Sequence, residues 1–287
     1  MEWAMGANRN TEFGQLTIGL LGPLSAHLGG TPVAPSAAKQ RQVLALLALN
    51  AGRVVTVSSL VEELWGDNPP RSYATTLQTY ILQLRNAVAA AAPDDSSARQ
   101  VLGTRHCGYM LEDGACQTDV EEFGRLVRAG RAAGENGDQR AASEHFDRAL
   151  KLWDGPALVD VRMGPILELE VASLEETRLG VLERRMETDL ALGRHADILG
   201  ELTLEAARNP MNENLCTLLM IALYRSGHVG RSLEAFHRIR GVLQDELGVE
   251  PCPRLQRLQG AILSGDPALE SDSWSVPQPG ASLAAAS

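Results

Sequence analysis

The chain has 287 residues, of which 44% are hydrophobic, 22% are charged and 4% are aromatic, and its net charge is −10 at pH 7. This length allows one large domain or two ordinary ones, and no segment approaches the ~20 uninterrupted apolar residues of a membrane span. An acidic chain is on average a poor partner for nucleic acid, but residues 37–105 carry 7 basic and 5 acidic side chains, so the charge is uneven.

Targeting signals and cysteine usage favour a cytoplasmic protein. The first dozen residues lack the basic start and the apolar run of a signal peptide. The four cysteines show no CxxC pairing and no metal-ligand spacing, which predicts reduced thiols. We therefore expect a cytoplasmic protein that does not contact the membrane.

The N-terminal part of the sequence predicts short strands. Residues 1–14 are polar and patternless, which predicts a disordered leader. Three strands are expected after this leader, and Gly29-Gly30 forms the turn of a hairpin between the last two. These strands cover residues 16–21, 25–28 and 31–33.

Two helices are predicted next. Apolar residues spaced three to four apart predict a helix over 37–51, which Gly52 ends. Ser59 and Glu62 form a capping-box pattern, which predicts that a second, short helix starts there and closes at Trp65.

A longer helix and a second hairpin complete this half of the chain. Pro69-Pro70 breaks the pattern, and a helix is predicted over 72–90, followed by a loop at 91–97. Two short extended runs then form a hairpin. They cover residues 101–104 and 109–111, with a turn at 106–108 between them.

The second half of the chain is helical in pattern. Gly193 and Gly227 lie 34 residues apart, and each separates two apolar helices. Pro210 and Pro251 end the second helix of each pair. A helix-turn-helix period of 34 residues is typical of tetratricopeptide repeats. The Ser/Pro/Gly/Ala-rich residues 266–287 predict a disordered tail.

The sequence contains no enzyme motif that we could identify. A phosphate-binding G-x4-G-K-[ST] loop, a GxGxxG loop, HExxH and GxSxG are all missing, and the six histidines are scattered. We therefore predict a protein that is not an enzyme and that needs no cofactor or metal ion.

The helix predicted over 72–90 has two chemically different faces. At 100° per residue its large apolar side chains form one stripe about 60° wide, which must face a core. These residues are Leu77, Ile81, Leu84 and Val88. The opposite face carries hydroxyls and amides, which suit base edges in the DNA major groove, although a polar helix packed on the second domain would look the same. It comprises Thr75, Thr79, Leu82, Gln83 and Asn86, with Gln78 and Arg85 on one flank and Thr76 and Tyr80 on the other.

The order of these elements predicts the winged form of a helix-turn-helix. Basic residues lie at the start of the first helix, around the exposed helix and at the hairpin tip, where they would suit DNA phosphates. The phosphate-contact candidates are Lys39, Arg41, Arg71, Arg85 and Arg105, together with Thr76 and Tyr80. The alternative for any one arginine is a surface ion pair of little energetic value.

Several motifs, in order over residues 16–265, resemble the Streptomyces antibiotic regulatory proteins. In the N-terminal half these are AKQRQVLALLA (38–48), VEELWGDNPP (61–70), TTLQTYILQLR (75–85) and GYML (108–111). In the C-terminal half they are LKLWDGPAL (150–158), LALGRHA (190–196), ALYRSG (222–227) and ELGVEP (246–251). The first half resembles an OmpR-type winged helix, and the second half resembles the bacterial transcriptional activation domain.

The resemblance implies a fold that is mainly α with a small β component. It places a winged helix-turn-helix DNA-binding domain at 15–113 and an all-α, tetratricopeptide-like activation domain at 118–265. By position in the recognition helix, the base-contact candidates are Thr75, Gln78, Thr79 and Gln83. Relatives often carry arginine where Leu82, Gln83 and Asn86 stand, which predicts low intrinsic DNA affinity.

The same resemblance implies a transcriptional activator of an antibiotic or other secondary-metabolite gene cluster. Its partners would be double-stranded promoter DNA with direct repeats and RNA polymerase holoenzyme, including its sigma factor. Protomers on a direct repeat would lie head to tail, as a homodimer or as tandem copies. Two alternatives stay open, namely a tetratricopeptide-type interaction scaffold and a regulator gated by a small molecule.

Overall fold

A computed structural model describes residues 16–91, 101–112 and 114–270. The strands are β1 (Leu16–Gly19), β2 (Ser25–Leu28), β3 (Thr31–Pro32), β4 (Val55–Thr56), β5 (Leu102–Arg105), β6 (Gly108–Leu111) and β7 (Cys116–Thr118). The helices are α1 (Ala38–Leu49), α2 (Val57–Trp65), α3 (Tyr73–Ala91), α4 (Asp119–Glu135), α5 (Gln139–Leu150), α6 (Pro165–Ala191), α7 (His195–Arg208), α8 (Glu213–Arg225), α9 (Val229–Leu247) and α10 (Pro253–Ser264). A short 3-10 helix follows at Pro267–Glu270.

The chain divides into two compact units. Unit 1 takes Met1–Arg128 and Arg148–Leu179, and unit 2 takes Ala129–Asp147 and Gly180–Ser287. Unit 1 therefore includes a segment from the second half of the chain. The predicted fold class, mainly helical with a winged helix followed by helical repeats, is confirmed.

Unit 1 contains two small sheets. One has the strand order β3-β2-β1-β7, and the other has the order β4-β6-β5. Both predicted hairpins are present, with β2 antiparallel to β3 and β5 antiparallel to β6. Strand β7 was not predicted; it pairs in parallel with β1 and places Cys116 opposite Leu16. Three residues are too few to show a period, so only the distant partner strand defines β7.

The three predicted helices of unit 1 are confirmed, but the start of α2 is corrected. The capping residue is Thr56, whose Oγ1 accepts the backbone N–H of Ser59 at 3.1 Å. Ser59 lies inside the helix, and its own hydroxyl bonds that of Thr56. The predicted Ser59–Glu62 capping box was therefore wrong by one turn, because threonine is also a favoured N-cap residue and Thr56 stands three residues earlier.

Some predictions concern residues outside the described ones. They are the leader at 1–14, most of the loop at 91–97 and residues 271–287 of the tail. At the start of the predicted tail the fold continues, since Leu269 is buried and its carbonyl accepts a hydrogen bond from Arg225.

Helix α1 is the centre of the unit 1 core. Every residue from Gln42 to Ala48 is buried, so the second half of this helix is surrounded by protein on all sides. Helices α2 and α3 both pack against it. This explains why its sequence is apolar almost all round rather than on one stripe.

The carboxylate of Glu63, buried on α2, caps the start of α6. Its oxygens accept the backbone N–H groups of Gly164 at 2.6 Å, and of Ile166 and Leu167 at 3.0 Å each. Pro165 has no N–H, so this one side chain satisfies the donors of the whole first turn. The Nε2 group of Gln42 on α1 donates to the same carboxylate at 2.9 Å.

Gly164 is required for this approach. A Cβ at this position would lie 2.1 Å from the carbonyl oxygen of Glu63, which no real contact allows. The α2 backbone and the start of α6 are therefore in direct contact, and any larger residue would force them apart.

Two further carboxylates join the first sheet and α1 to later segments of unit 1. Asp119, the first residue of α4, accepts the backbone N–H groups of Leu20 and Leu21 at 2.8–3.0 Å. Burial raises the pKa of Asp119, and these N–H bonds oppose that rise. Asp160 accepts the N–H of Leu24 at 2.8 Å and pairs with Arg41 at 2.5 Å.

Leu158 shows how tightly this later segment is held. Its φ of 52° is left-handed, a conformation that costs a non-glycine residue about 1 kcal/mol. The side chain is buried, and its N–H donates to the carbonyl of Leu20 at 3.1 Å. A fragment that ends at residue 113 would lack Asp119, Leu158 and Asp160, so the winged helix is best tested within the full chain.

Unit 2 is built from helix pairs with a common turn. Gly137, Gly193 and Gly227 precede α5, α7 and α9 and have φ of 82°, 74° and 78°. In each turn the residue after the glycine donates its N–H to a carbonyl five residues earlier, a Schellman motif. These bonds join Asp138 to Ala133, Arg194 to Asp189 and His228 to Leu223. The 34-residue period of Gly193 and Gly227 therefore corresponds to a repeated helical turn.

Replacing Glu63 with alanine should destabilise unit 1 strongly. The change leaves three buried or part-buried backbone donors without their acceptor and removes one of the two acceptors of the Gln42 amide, which should cost about 2–5 kcal/mol of unfolding free energy. Urea denaturation followed by tryptophan fluorescence and circular dichroism would measure it.

The neighbouring Glu62→Ala variant is the matched control, because Glu62 is exposed on the same helix. We expect it to change the unfolding free energy by less than about 0.5 kcal/mol. Equal stability of the two variants would show that the Glu63 cap does not hold unit 1 together.

Candidate nucleic-acid interface

Helix α3 has the two faces that its sequence predicts. Leu77, Ile81, Leu84 and Val88 are all buried and pack in the unit 1 core. The opposite face is exposed, and it carries Thr75, Gln78, Thr79, Leu82, Gln83 and Asn86. Thr76 and Tyr80 are half-buried along one edge. The buried stripe therefore fixes α3 in a single rotation, which presents the amides and hydroxyls to solvent.

Negative charge is missing from this helix. The sequence from Arg71 to Ala91 contains no aspartate or glutamate, although the chain as a whole is acidic. A polar surface without carboxylates does not repel phosphate, and it differs from the mixed Glu/Lys face of an ordinary solvated helix. The exposed face of α3 is thus suited to an anionic partner.

The threonine hydroxyls on α3 are oriented by its own backbone. Thr79 Oγ1 donates to the carbonyl of Thr75 at 2.9 Å, and Thr76 Oγ1 donates to that of Ser72 at 3.0 Å. A hydroxyl that donates within the helix keeps its lone pairs as acceptors. Thr79 can therefore offer an acceptor oxygen and a methyl group to a base edge.

Gln83 has a partner that the sequence did not reveal. Its Oε1 accepts a hydrogen bond from Nε2 of Gln40 on the first turn of α1, at 2.5 Å. The two residues are 43 positions apart, and neither local periodicity nor composition connects them. Gln40 is therefore part of the candidate interface, although it was not among the predicted residues.

The β5–β6 hairpin forms the wing beside α3. His106 and Cys107 lie at its turn and are exposed, and the carbonyl of Cys107 accepts the N–H of Val57 at the start of α2. Arg85 links α3 to the wing, because its guanidinium donates to the carbonyl of Leu102 at 2.8 Å and to Thr104 Oγ1 at 2.9 Å.

The predicted cationic anchors differ in their surroundings. Arg71 is exposed, and no hydrogen bond or ion pair joins it to any residue that the structure describes. Arg105 pairs with Glu112 at 2.6 Å, and 42% of its side chain stays exposed. Arg85 is half-buried and binds the wing as described above. These three residues flank the exposed face of α3.

Arg41 and Lys39 have structural roles at the start of α1. Arg41 is largely buried, and it binds Asp160 and the carbonyls of Leu24 and Pro35. This arrangement speaks against the phosphate role expected for Arg41, because its donors are already used within unit 1.

Lys39 reaches the end of α2 instead of solvent. Its Nζ donates to the carbonyl of Leu64 and lies 5.1 Å from the centre of the Trp65 ring. Burial lowers the pKa of Lys39, the positive charge of Arg162 lowers it further, and Glu63 opposes both. Lys39 therefore compensates the C-terminal end of α2, and Arg162 adds a second positive charge nearby.

The described residues contain neither a membrane-spanning helix nor a cluster of metal ligands. None of the helices in that part of the chain has an apolar run that could span a lipid bilayer. The same residues hold no group of three or more His, Cys, Asp or Glu side chains that could bind a metal ion.

Family models match both halves of the chain. The model for the C-terminal domain of transcriptional regulatory proteins matches residues 31–111, which contain α1 to α3 and the wing. The model for the bacterial transcriptional activator domain matches residues 118–263.

Similar proteins extend over most of the chain. It is 53% identical over 264 residues to the regulatory protein DnrI of Streptomyces peucetius, covering 91% of this chain and 97% of DnrI. It is 38% identical to the transcriptional regulator RedD of Streptomyces coelicolor, covering 92% of this chain and 75% of RedD. Against the regulatory protein AfsR of the same organism the identity is 39%, but the chain spans only 25% of AfsR.

A solved structure has the same fold. Mycobacterium tuberculosis EmbR, in complex with a low-affinity phosphopeptide, superposes with a TM-score of 0.82 at 34% identity, covering 88% of this chain and 66% of that one. Fold, exposed helix and matched domains define a transcriptional regulator with an OmpR-type winged helix. The chain belongs to the Streptomyces antibiotic regulatory protein family of transcriptional activators, as its motifs predict.

The cysteine of the wing should react with thiol reagents before the other described cysteines. Cys107 is exposed in the hairpin turn, whereas Cys116 and Cys216 are buried. Burial raises the pKa of Cys216 to about 12 and also raises the pKa of Cys252. Because the thiolate is the nucleophile, we expect iodoacetamide at pH 8 to modify Cys107 first, as followed by mass spectrometry of peptides.

The Cys107→Ser variant is the control for this labelling. It should lose the fast-reacting thiol and keep the slow ones. Rapid modification of Cys116 or Cys216 in the native protein would contradict the burial of those thiols.

Proposed function

We propose that the protein is a sequence-specific DNA-binding activator of an antibiotic or other secondary-metabolite gene cluster. It binds direct repeats near promoters and recruits RNA polymerase holoenzyme, including its sigma factor. The observation that carries the proposal is the exposed face of α3, which is rich in amides and hydroxyls, free of carboxylates and fixed in rotation by a buried stripe. Promoter DNA and polymerase lie in the bacterial cytoplasm, so the protein acts there.

In this proposal α3 enters the major groove, and its exposed residues contact base edges. Amides can form paired hydrogen bonds to bases, and threonine offers an acceptor and a methyl group. The base contacts are made by Thr75, Gln78, Thr79 and Gln83. Leu82, an apolar side chain that is 56% exposed, is suited to the methyl group of a thymine.

Phosphate contacts fix the position of α3 without selecting a sequence. Arg71 at the helix start and Arg105 on the wing are the principal candidates, since both are exposed cations. Arg85 braces the wing, while Thr76 and Tyr80 lie along the half-buried edge beside the phosphates. Arg41 and Lys39 are left out of this set, because their charged groups are engaged within unit 1.

Residues 15–113 form the DNA-binding part of this proposal, and residues 118–265 form the part that contacts polymerase. A direct repeat places two protomers head to tail, unlike the two-fold pairs that bind palindromes. Binding of a neighbouring protomer or of polymerase raises the effective concentration of each weak contact. Tandem protomers on DNA therefore explain how a winged helix with few cations could occupy its site.

A mobility-shift titration on the neighbouring promoters, at several salt concentrations, tests this assignment. Specific DNA should be retarded in two steps, and random DNA should not compete. Arg71→Ala should weaken binding to every sequence and lower the slope of log K against log salt by about 1. Arg140→Ala, an exposed change in α5, should leave both unaffected.

Gln78→Ala should behave differently from Arg71→Ala. It should cost about 1–3 kcal/mol on the specific site and leave random DNA and the salt slope unchanged. Equal losses on specific and random DNA would overturn the base-contact role of Gln78. If no promoter is bound even when holoenzyme is added, the proposed function is wrong.

Thiol labelling of Cys107 gives an independent test of the wing. Promoter DNA should slow the reaction of Cys107 with iodoacetamide at least about tenfold if the wing lies against the duplex. Cys252, which lies in unit 2, serves as the internal control, and its slower rate should not change. An unprotected Cys107 in a fully bound complex would exclude the wing from the interface.

A further inference from the structure

The hydrogen bond between Gln40 and Gln83 joins two helices at the edge of the exposed α3 face. Gln83 lies near the middle of α3 and is exposed, and Gln40 is the third residue of α1 and is half-buried. The Nε2 group of Gln40 donates to Oε1 of Gln83 at 2.5 Å. The oxygen end of the Gln83 amide therefore faces α1, and its NH2 end faces away.

The helix dipole of α1 supports this orientation of the pair. The first turn of α1 has no acidic residue, and its N-cap residue Ala37 supplies no side-chain cap. The N-terminal end of the helix therefore carries uncompensated partial positive charge. This charge favours the orientation in which the oxygen of the Gln40 amide lies towards the helix end and its NH2 group faces outward as the donor to Gln83.

A glutamine amide whose orientation is fixed by a neighbour and one that can rotate freely recognise different bases. A free glutamine presents one donor and one acceptor, which match N7 and N6 of adenine. In Gln83 the bond from Gln40 uses one lone pair of the amide oxygen and turns that oxygen towards α1, so the NH2 end of the amide, with its donors, faces away from α1. The major-groove edge of guanine offers two acceptors, O6 and N7, and no donor, so it is the best match for that pattern.

We propose that Gln40 is a specificity-determining residue that positions the Gln83 amide to select guanine. The inference rests on the proposed function, because it requires α3 to lie in the major groove. Gln78 provides the contrast on the same helix. Its side chain is exposed and forms no hydrogen bond with the described residues, so both ends of its amide are available and adenine is its match.

Base selection from duplexes with about 20 random base pairs tests the inference, using the full chain and sequencing of the bound fraction. Gln83→Ala identifies the base pair that Gln83 contacts, since preference is lost there. At that pair the unchanged protein should favour guanine over adenine about 5-fold to 100-fold. Gln40→Met keeps the length of the side chain but not its amide, and it should bring the two bases within about twofold.

The internal control is the pair contacted by Gln78, which Gln78→Ala identifies. It should favour adenine and should not respond to Gln40→Met. A second variant, Gln40→Glu, can only accept, so it turns the Gln83 amide around and should shift the preference at that pair towards adenine. Thermal unfolding of each variant checks that the fold is intact. The Gln40 variants should unfold like the unchanged protein, because Gln40 is not part of the buried core.

Each remaining outcome separates the inference from the proposed function. Adenine preference at the Gln83 pair in the unchanged protein overturns the inference, as does an unaltered guanine preference in Gln40→Met. If Gln83→Ala keeps every base preference of the unchanged protein, the inference is also overturned, while sequence-specific binding by α3 stands. If no sequence is enriched at all, the proposed function itself fails.

Discussion

A buried carboxylate on the second helix, that of Glu63, connects the segments on which the winged helix depends. An ionised group in a protein interior is costly unless donors surround it. Here three backbone N–H groups, the amide of Gln42 and the positive end of α6 offset that cost. The same side chain therefore fixes α2 against α1 and both against α6. Helix α3 packs on α1, so the orientation of its exposed face depends on this one arrangement.

The compact unit around α3 is larger than the winged-helix motif. Asp119, Asp160 and Glu63 each join an early segment to a later one, and Arg148–Leu179 consequently belongs to unit 1. The family models divide the chain between residues 111 and 118 instead. Sequence families record which segments are inherited together, whereas compactness depends on which segments bury each other's polar groups. The segment matched by the first family model is therefore completed by residues from the segment matched by the second.

Local sequence patterns were sufficient for the elements but not for their partners. The stripe of Leu77, Ile81, Leu84 and Val88 was predictable because burial on a helix repeats every three to four residues. The helical-pair turns were predictable because Gly193 and Gly227 adopt a left-handed φ that other residues avoid. Strand β7, the Glu63 cap and the Gln40–Gln83 pair were not, since each depends on residues at least 40 positions apart. Arg41 shows why some site residues could not be predicted, because nothing near it in sequence indicates that it forms an ion pair with Asp160.

Cations are scarce on the proposed DNA-facing surface, and this scarcity constrains how the protein can bind. Among the five predicted basic residues, only Arg71 has no partner among the described residues. Arg105 is partly exposed but forms an ion pair with Glu112. Each phosphate contact contributes about 0.9 to the salt slope, so a protomer with two or three such contacts has little non-specific affinity. Its amides and hydroxyls discriminate between sequences without adding charge. In the proposed function, residence on a promoter comes from linked binding to a second protomer or to polymerase, which raises effective concentration without any new contact to DNA. In the same proposal, the excess of acidic residues outside residues 37–105 disfavours non-specific contact with DNA.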